Sequence, residues 1–264
     1  MDRSRSRATF RRLLGRPARS REGSGVTEAR APGGGILYLV ATPIGNLDDI
    51  TLRARRVLGE VDVVAAEDTR RARLLLDRLG IGARVVSLFE HNERARIPGL
   101  MRRLLAGESV AVVTEAGSPA VSDPGYPVVR AAVAGGITVQ SVPGPSAVIA
   151  ALQVSGLPTD SFTFVGFLPP RQAARRRRLE ELHGRRETIV AFESPHRIAA
   201  CLEDLVSVWG ERPIALAREL TKIHEQVLRG TAAEVRAALA PEKQRGEMVL
   251  VLGGMTRKQA DGSQ

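Results

Sequence analysis

Short apolar runs alternate with polar turns along the first half of the chain. Five such runs occur, ILYLVA, VDVVA, RVVSL, VAVV and TVQSV, and stretches with helical spacing of apolar positions separate them. Continuous apolar runs of this length predict buried strands, and strands that alternate with helices predict a parallel sheet. The turns that follow the strands are therefore expected together at one edge, where open α/β sheets bind their ligands.

Each of the five turns that follow these strands carries polar residues. They are TPIGNLDD (42–49), AEDTRR (66–71), FEHNE (89–93), TEAGSPAVSDPG (114–125) and PGPS (143–146). The turn at 114–125 is the longest, and its glycines and prolines impose an irregular backbone. Long irregular loops inside compact domains usually have a function, so ligand contact is predicted here. No turn has the spacing of a familiar phosphate-binding loop.

Local signals predict where the helices of this half begin and end. Asp68 or Thr69 is a candidate N-cap for RRARLLLDRLG, and Gly80 is expected to end that helix. Pro124 has the position of a first-turn proline before YPVVRAAVAGG. Ser146 is a candidate N-cap for AVIAALQV, since serine is a preferred residue there.

In the second half the strands are closer together and the helices fewer. Strands are predicted at SFTFVGF, TIVAF, PIALA and EMVLVL. An arginine-rich helix is predicted at 171–183, followed by helices at 195–208 and within 230–240. This spacing predicts a mixed, partly antiparallel sheet.

The predicted fold class is therefore α/β, with two α/β domains and a tail at each end. A parallel, doubly wound domain at 35–150 precedes a mixed-sheet domain at 151–254. Segment 1–34 is expected to be a disordered basic tail and 255–264 a flexible one. The N-terminal tail contributes +6 of the net charge of +10. It serves either solubility alone or a weak, salt-sensitive grip on RNA phosphates.

Composition excludes several kinds of site and location. The single cysteine, Cys201, excludes a disulfide framework and a multi-cysteine metal site. The histidines lack the spacing of a zinc site, so no metal is predicted. No apolar run reaches membrane-spanning length, and the N-terminus lacks the apolar stretch of a signal peptide. A cytoplasmic protein with no membrane partner is expected.

The turn AEDTRR places two adjacent carboxylates beside an arginine. Glu67, Asp68 and Arg70 together favour acid–base chemistry. In the alternative interpretation, Asp68 caps the following helix and takes part in a surface ion pair. Glu67 precedes the cap and is expected to point toward the ligand-binding edge.

Charged residues also follow two predicted strands of the second half, in AFESPHR (191–197) and ARELTKIHE (217–225). One such residue is usually solvated surface, but two strand ends together favour a polar site. A run of four arginines at 175–178 lies on the predicted helix 171–183. It is either a solvated helix face or a contact for nucleic-acid phosphates, and the sequence leaves both interpretations open.

In order along the chain, these motifs resemble a known family. The chain is similar to the RsmI-type ribosomal RNA ribose methyltransferases, of the tetrapyrrole-methylase superfamily, in LYLVATPIGNLDDITLRA, AAEDTRR, HNE, EAGSPAVSDPGYPVVR, VPGPSAVIAAL, GLPTDSFTFVGFLP, FESPHR and ARELTK. The resemblance covers residues 36–252. Any single motif is weak, but the ordered set is specific.

This resemblance implies an activity and its partners. S-adenosylmethionine is the implied methyl donor, held in a cleft between the two domains. The implied acceptor is the ribose 2′-oxygen of a cytidine in 16S ribosomal RNA, in the decoding region of the small ribosomal subunit. The family also implies a homodimer.

The resemblance assigns roles to individual residues. Cofactor contacts are expected from Pro43, Ile44, Gly45, Glu115, Ala116, Gly117, Ser118, Pro119, Ser146, Ala147, Phe192, Ala217 and Arg218. The acceptor is expected to meet Glu193, His196 and Glu219. Arg175 and Arg176 join this set in the interpretation that the arginine run contacts phosphates. The catalytic group is expected to comprise Glu67 as base with Asp68, Arg70 and Lys222. The family's usual D-A-G-T-P is here E-A-G-S-P, in which Glu115 is one methylene longer than aspartate.

Three other functions compete with this one. A small-molecule methyltransferase of the same superfamily would need a wide apolar cleft, and the charged turns fit a polar acceptor better. A ribosome-binding factor without catalysis would have no reason to keep the small-residue turns. Cofactor binding separates that factor from both enzymes. A carboxylate-pair hydrolase would rest on Glu67 and Asp68 alone, and adjacent residues on one turn seldom straddle a scissile bond.

Overall fold

The computed structural model describes residues 34–255, which form two five-stranded sheets and eight helices of at least seven residues. The predicted tails, 1–34 and 255–264, lie almost entirely outside these residues. Both sheets belong to one compact unit of the chain.

The first sheet is parallel throughout. Its strands lie in the order β3-β2-β4-β1-β5, and their bounds are β1 (Ile36–Val40), β2 (Val63–Ala66), β3 (Val85–Ser87), β4 (Val110–Val113) and β5 (Thr138–Val142). The helices that follow them are α1 (Leu52–Glu60), α2 (Thr69–Leu79), α3 (Glu93–Leu105), α4 (Tyr126–Ala134) and α5 (Ala147–Ser155). The five predicted strands and their parallel arrangement are confirmed.

Alternate residues of these strands face opposite sides of the sheet, as strand geometry requires. On one side Val64 and Ala111 pack with α1 and α2, and on the other Val63 and Val112 pack with α3 and α4. Helices on both faces bury every strand of the sheet centre. This doubly wound arrangement leaves the loops at the carboxyl ends of the strands available for ligand binding.

The predicted capping residues mark both ends of α2 but not the start of α4. The Asp68 carboxylate accepts hydrogen bonds from the N–H groups of Arg70 and Arg71, and Gly80 ends α2 in the left-handed conformation, with a φ of 70°. The prediction for Pro124 was wrong. α4 begins at Tyr126, and the first-turn proline is Pro127, because Pro124 still belongs to the preceding loop.

The second sheet is mixed, as the closer spacing of its strands predicts. Its order is β6-β7-β10-β8-β9, in which β6 and β7 are parallel and the other pairs antiparallel. The strands are β6 (Phe162–Phe167), β7 (Thr188–Glu193), β8 (Ile214–Arg218), β9 (Gln226–Gly230) and β10 (Met248–Leu252). The helices are α6 (Gln172–His183), α7 (Ile198–Trp209) and α8 (Ala232–Ala238).

One helix joins the two halves of the chain. α5 leaves the first sheet after β5 but packs on the second, where Ala151 and Leu152 meet Val190 and Val249. α6, α7 and α8 cover the opposite face. The predicted boundary at residue 150 falls inside α5, so the division into domains at that residue stays a prediction.

A buried ion pair holds α6 against α7. Arg175 Nε and Nη2 lie 2.8 and 2.7 Å from Asp204 Oδ2, and both side chains are 3% exposed. Arg175 Nη1 also donates to the Pro170 carbonyl at 3.3 Å. This corrects the expectation that Arg175 contacts substrate, because its guanidinium is fully engaged inside the protein. Only the other arginines of the 175–178 run remain available to solvent.

Removing one partner of a buried ion pair leaves an unpaired charge, which typically costs about 3–5 kcal/mol. We therefore expect Arg175→Ala to lower the free energy of unfolding by about that amount in urea titrations. The matched control is Arg177→Ala, at an exposed position of the same helix, where a change within about 0.5 kcal/mol is expected. Equal unfolding midpoints for the two variants would contradict the structural role of Arg175.

Candidate active site

The loops after β1 and β4 are joined by a short antiparallel bridge. The Thr42 N–H donates to the Gly117 carbonyl at 2.9 Å, and the Gly117 N–H donates to the Thr42 carbonyl at 3.0 Å. β1 and β4 are neighbours in the sheet although β2 and β3 lie between them in sequence. The connection that follows β1 leads toward one edge of the sheet, and the connection that follows β4 leads toward the other, so the strand order reverses between these two strands. Such reversal points are where open α/β sheets hold ligands.

A cleft of about 410 Å³ opens beside this bridge, a size within the usual range for small-molecule sites. Loops of the first sheet form one wall and the end of the second sheet forms the other. Its lining residues are Ile44, Glu67, Glu115, Ala116, Gly117, Ser118, Val121, Asp123, Ser146, Ala147, Val148, Phe167, Phe192, Glu193, Ser194, Pro195, Gly246, Glu247, Met248 and Val249.

The loop at 114–125 has an unusually constrained backbone. Ala120 and Ser122 have φ values of 66° and 62°, and Gly117 and Gly125 have φ values of 81° and 130°. Left-handed conformations of residues other than glycine cost about 1–3 kcal/mol each and persist where surrounding structure imposes them. This loop is therefore held in shape by its contacts and does not adopt an intrinsically preferred form.

One of those contacts comes from Glu93, at the start of α3. Its side chain is buried, and Oε1 accepts the Gly125 N–H at 2.6 Å. The Ala120 N–H also donates to the Pro124 carbonyl at 3.1 Å. The two bonds fix the end of the loop against α3 and the start of α4.

Three carboxylates line the first-sheet side of the cleft: Glu67, Glu115 and Asp123. Burial raises the pKa of Asp123 to about 6, with the charges of Glu67 and Glu115 adding to the effect and a hydrogen bond from Thr114 opposing it. Burial also raises the pKa of Glu67, although a hydrogen bond from the Glu115 N–H and the charge of Arg71 act to lower it. Glu115 pairs with Arg71 at 2.7 Å. This wall is rich in negative charge and suits a cationic ligand.

The opposite wall is apolar and aromatic. Phe192 lies edge-on to Phe164 and Phe167, with ring centroids 4.9 and 5.5 Å apart, while Met248 and Val249 extend the surface. Glu193, at the end of β7, is buried, and its Oε1 accepts the Ser194 N–H and pairs with Arg197, each at 2.7 Å. This wall therefore offers a flat apolar surface beside Glu193, whose Oε1 is already paired.

Lys222 belongs to a neighbouring ion-pair group. Its Nζ lies 2.9 Å from Glu219 Oε1 and 3.4 Å from Glu247 Oε2. Burial acts to lower the pKa of Lys222, but these two carboxylates outweigh burial and raise it. A Cβ on Gly246 would lie 2.2 Å from Glu219 Oε1, so only glycine leaves room for this arrangement. Lys222 is therefore held as a charged ammonium and is poorly suited to act as a base.

The structure brings about half of the predicted site residues together. Those that line the cleft are Ile44, Glu67, Glu115, Ala116, Gly117, Ser118, Ser146, Ala147, Phe192 and Glu193. Pro43, Gly45 and Lys222 line an adjoining groove that shares Ile44, Glu115, Ala116 and Glu247 with the cleft, and Gly45, Lys222 and Glu219 line a second groove. Three further predicted residues are buried and do not line the cleft: Pro119, Ala217 and Arg218. Ser146, the candidate N-cap of α5, makes no side-chain capping bond.

Four predicted residues face elsewhere. The Asp68 carboxylate caps α2, and the backbone N–H groups of Arg71 and Arg70 lower its pKa. The Arg70 side chain is 90% exposed beside it. This geometry matches the alternative interpretation of the AEDTRR turn and corrects the expectation that both residues join the catalytic group. His196 and Arg176 are exposed, outside the cleft.

Sequence reasoning missed several lining residues. Asp123 was noted only as part of a long turn, although an acidic residue directly before Pro124 and Gly125 in the longest irregular turn was an available signal. Phe167 and the segment 246–249 come from strands of the second sheet. Their approach to the loops of the first sheet depends on packing between distant parts of the chain, which no local pattern reports.

Within residues 34–255, no group of three or more acidic, histidine or cysteine side chains is placed to hold a metal ion. None of the helices in this part of the chain is long and apolar enough to cross a membrane.

Comparison with known proteins bears on the identity of this cleft. The sequence profile described as Tetrapyrrole (Corrin/Porphyrin) Methylases matches residues 36–236, which is most of the chain. The chain belongs to this family. The sequence-based resemblance and the predicted fold class are thereby confirmed.

Curated relatives place the chain more closely among these methylases. It is 48% identical over 229 residues to ribosomal RNA small subunit methyltransferase I of Xylella fastidiosa, with 86% of this chain and 84% of that protein covered. The protein of the same name from Escherichia coli O157:H7 is 45% identical over 230 residues, with coverage of 86% and 80%. That from Mycobacterium tuberculosis is 49% identical over 223 residues, with coverage of 83% and 78%.

Solved structures of other family members share the fold. Uroporphyrin-III-C-methyltransferase from Thermus thermophilus superposes with a TM-score of 0.59 at 24% identity, covering 83% of this chain and 94% of that one. Cobalt precorrin-4 methyltransferase gives 0.60 at 20% identity, with the same coverage. A Thermus enzyme complexed with S-adenyl homocysteine gives 0.53 at 20% identity, covering 83% and 92%.

The loop at 114–125 should depend on the hydrogen bond from Glu93. Glu93→Ala leaves the buried Gly125 N–H without its acceptor, a loss that typically costs about 1–3 kcal/mol. We expect faster hydrogen exchange at the Gly125 amide and a lower unfolding midpoint in urea.

Glu93→Gln is the matched control, because its side-chain oxygen can still accept the same bond. It should keep the Gly125 amide protected. Exchange rates that are equally raised in both variants would show that shape or charge at position 93, and not the acceptor, holds the loop.

Proposed function

We propose that this protein is an S-adenosylmethionine-dependent methyltransferase that modifies the ribose 2′-oxygen of a cytidine in 16S ribosomal RNA, in the decoding region of the small subunit. The observation that carries the proposal is the complete cleft at the β1–β4 reversal point, in a chain 45–49% identical to proteins named ribosomal RNA small subunit methyltransferase I. The proposed location is the cytoplasm, where ribosomal subunits assemble.

The two walls of the cleft fit the proposed methyl donor. S-adenosylmethionine carries an adenine ring and supplies its methyl group from a positively charged sulfur. Phe192 and Phe167 offer a surface for the flat ring, and Glu67, Glu115 and Asp123 complement the positive charge. Ala116 and Gly117 keep the space between the walls clear. A family member has been solved with S-adenyl homocysteine, which supports the same class of ligand here.

Methyl transfer needs an acceptor oxygen held in line with the methyl group, so orientation is the main task of the protein. A carboxylate on the polar wall is available to accept the hydroxyl proton. Glu67 was the base suggested by the sequence, and it lines the cleft. Lys222 lies outside the main cleft as a paired ammonium, which suits contact with an RNA phosphate better than proton removal.

The exposed arginines of α6 are the proposed phosphate contacts. Arg176 and Arg177 are exposed, and Arg178 pairs with Glu181 at 2.9 Å. Arg175 is excluded because it is buried against Asp204. RNA affinity carried by such residues depends on salt, because each phosphate contact releases bound counterions.

A homodimer is the proposed assembly. The resemblance to the RsmI-type family supports it, and the apolar side chains of Ile223 and Leu52, which are 98% and 88% exposed, are candidates for the contact between the two chains. Light scattering of the purified protein measures its mass in solution and tests this part of the proposal directly.

Labelled S-adenosylmethionine, incubated with the purified protein and small ribosomal subunits that lack the modification, tests the reaction. We expect the label in 2′-O-methylcytidine after digestion of the RNA. Label absent from RNA despite cofactor binding would favour a small-molecule methyltransferase, and no cofactor binding by calorimetry would leave a non-catalytic ribosome-binding factor.

Gly117→Ala should weaken cofactor binding in the same calorimetry. A side chain is strained at its φ of 81°, and the added Cβ would lie 3.4 Å from Ile44 Cγ2. Gly184→Ala is the matched control, because its Cβ would meet no atom within 4 Å. Equal affinities for the two variants would remove Gly117 from the proposed cofactor site.

Paired substitutions test the RNA-contacting face. We expect Arg176→Ala combined with Arg177→Ala to weaken binding to small subunits and to reduce the slope of log affinity against log salt by about 1 per arginine. Arg96→Ala with Arg102→Ala removes the same charge from exposed positions on α3 and serves as the control. A slope that changes equally in both double variants would show that net charge, not the α6 face, sets RNA affinity.

A further inference from the structure

We propose that Asp123 is the group that accepts the proton of the ribose 2′-hydroxyl. This inference rests on the proposed function and names the proton acceptor within the same cleft, in place of Glu67. It follows from the contacts made by each acidic residue of the cleft and from the backbone that presents Asp123.

The backbone around Asp123 is held in an unfavourable form. Its neighbour Ser122 has a φ of 62°, and Ala120, two residues earlier, has a φ of 66°. Two such residues within four positions are a large local cost for a loop that could otherwise relax. The Glu93–Gly125 hydrogen bond and the Thr42–Gly117 bridge hold the loop at both ends. The conformation they impose places Asp123 in the lining of the cleft.

The other carboxylates of the cleft are more fully engaged. Glu115 pairs with Arg71 at 2.7 Å, and Glu193 Oε1 pairs with Arg197 and accepts the Ser194 N–H. Glu247 lies 3.4 Å from Lys222. An ion pair with a cation stabilises the charged form of a carboxylate and so weakens it as a base.

Glu67 and Asp123 are the two remaining acidic residues. Glu67 accepts a hydrogen bond from the Glu115 N–H and also feels the charge of Arg71, and both stabilise its ionised form. Asp123 has no cation within 4.0 Å among the described residues, and only the Thr114 hydroxyl acts to lower its pKa. Asp123 therefore has fewer groups than Glu67 that stabilise its charged form and weaken it as a base.

The proposed step is balanced without another reactant. The ribose 2′-oxygen forms a bond to the methyl carbon as the carbon–sulfur bond breaks, and the electron pair of that bond goes to sulfur. The hydroxyl proton goes to an Asp123 carboxylate oxygen and later leaves to solvent. A positioned general base of this kind typically contributes about 10²–10⁴-fold to a rate.

The charged groups that face Asp123 set the pH at which it can work. Burial raises its pKa to about 6, with smaller contributions from the charges of Glu67, at the end of β2, and Glu115, at the end of β4, while Thr114 acts to lower it. Arg71, on α2, acts on this cluster through its ion pair with Glu115. A base must be deprotonated, so activity should rise with pH through that value and level off above it.

The test compares Asp123→Asn, Glu67→Gln and wild type in single-turnover methylation of small ribosomal subunits from pH 5 to 8. We expect Asp123→Asn to lower the rate about 10²–10⁴-fold while the cofactor Kd from calorimetry changes only a few-fold. At saturating cofactor, Glu67→Gln should lower the rate far less than Asp123→Asn does, and it should move the acidic limb to lower pH, because one of the charges that raise the Asp123 pKa is gone. Asp77→Asn, at an exposed position of α2, is the control and should match wild type.

A rate near that of wild type in Asp123→Asn would overturn the proposal, as would a loss of rate in Glu67→Gln as large as that expected for Asp123→Asn. If Asp123→Asn fails to fold in urea titrations, the pH–rate profile of Glu67→Gln still decides between the two residues. A shift of its acidic limb to lower pH is expected only when Asp123 is the base. Wild-type protein that leaves the ribose unlabelled would instead refute the proposed function.

A second readout does not depend on activity. Carboxyl carbon NMR of the free protein follows each acidic side chain, and the resonance missing in Asp123→Asn identifies Asp123. We expect that resonance to titrate near pH 6 in wild type and at lower pH in Glu67→Gln. An Asp123 midpoint near the ordinary aspartate value of about 3.9 would contradict the proposed environment.

Discussion

The site depends on the pair of backbone hydrogen bonds between Thr42 and Gly117. These bonds tie together the loops after β1 and β4, which are neighbours in the sheet but lie more than seventy residues apart in sequence. Without them the loop at 114–125 would lose its backbone link to the loop after β1. Ile44, two residues after Thr42, packs on the second sheet beside Val148 and Val249. The same short segment therefore fixes both the shape of the cleft and the approach of its two walls.

Much of the fold could be predicted because its local patterns are strong. Continuous apolar runs gave all five strands of the parallel sheet, and the capping chemistry of Asp68 and Gly80 marked both ends of α2. In a parallel sheet the strand-to-helix turns share one edge, so the general place of the site also followed. Pro124 shows the limit of such signals, because Pro127 satisfies the same rule three residues later.

The finer parts of the site could not be predicted, because they depend on partners distant in sequence. Arg175 belongs to a run that is otherwise exposed or paired at the surface, and only the meeting of α6 with Asp204 on α7 buries it. Asp123 owes its environment to carboxylates at the ends of two other strands. Lys222 appeared to be a candidate for catalysis until the structure paired it with Glu219 and Glu247. The sequence shows which charged residues are present, but it does not show which of them form ion pairs with one another.

The carboxylates of the acidic wall repel one another and so lower the stability of the folded protein. Because the Asp123 pKa is raised on folding, its ionised form disfavours the folded state, and this penalty grows as pH rises from the ordinary aspartate value toward about 6. A cation that enters the cleft relieves the repulsion among Glu67, Glu115 and Asp123. On the proposed function, binding of the positively charged methyl donor would offset part of this loss of stability.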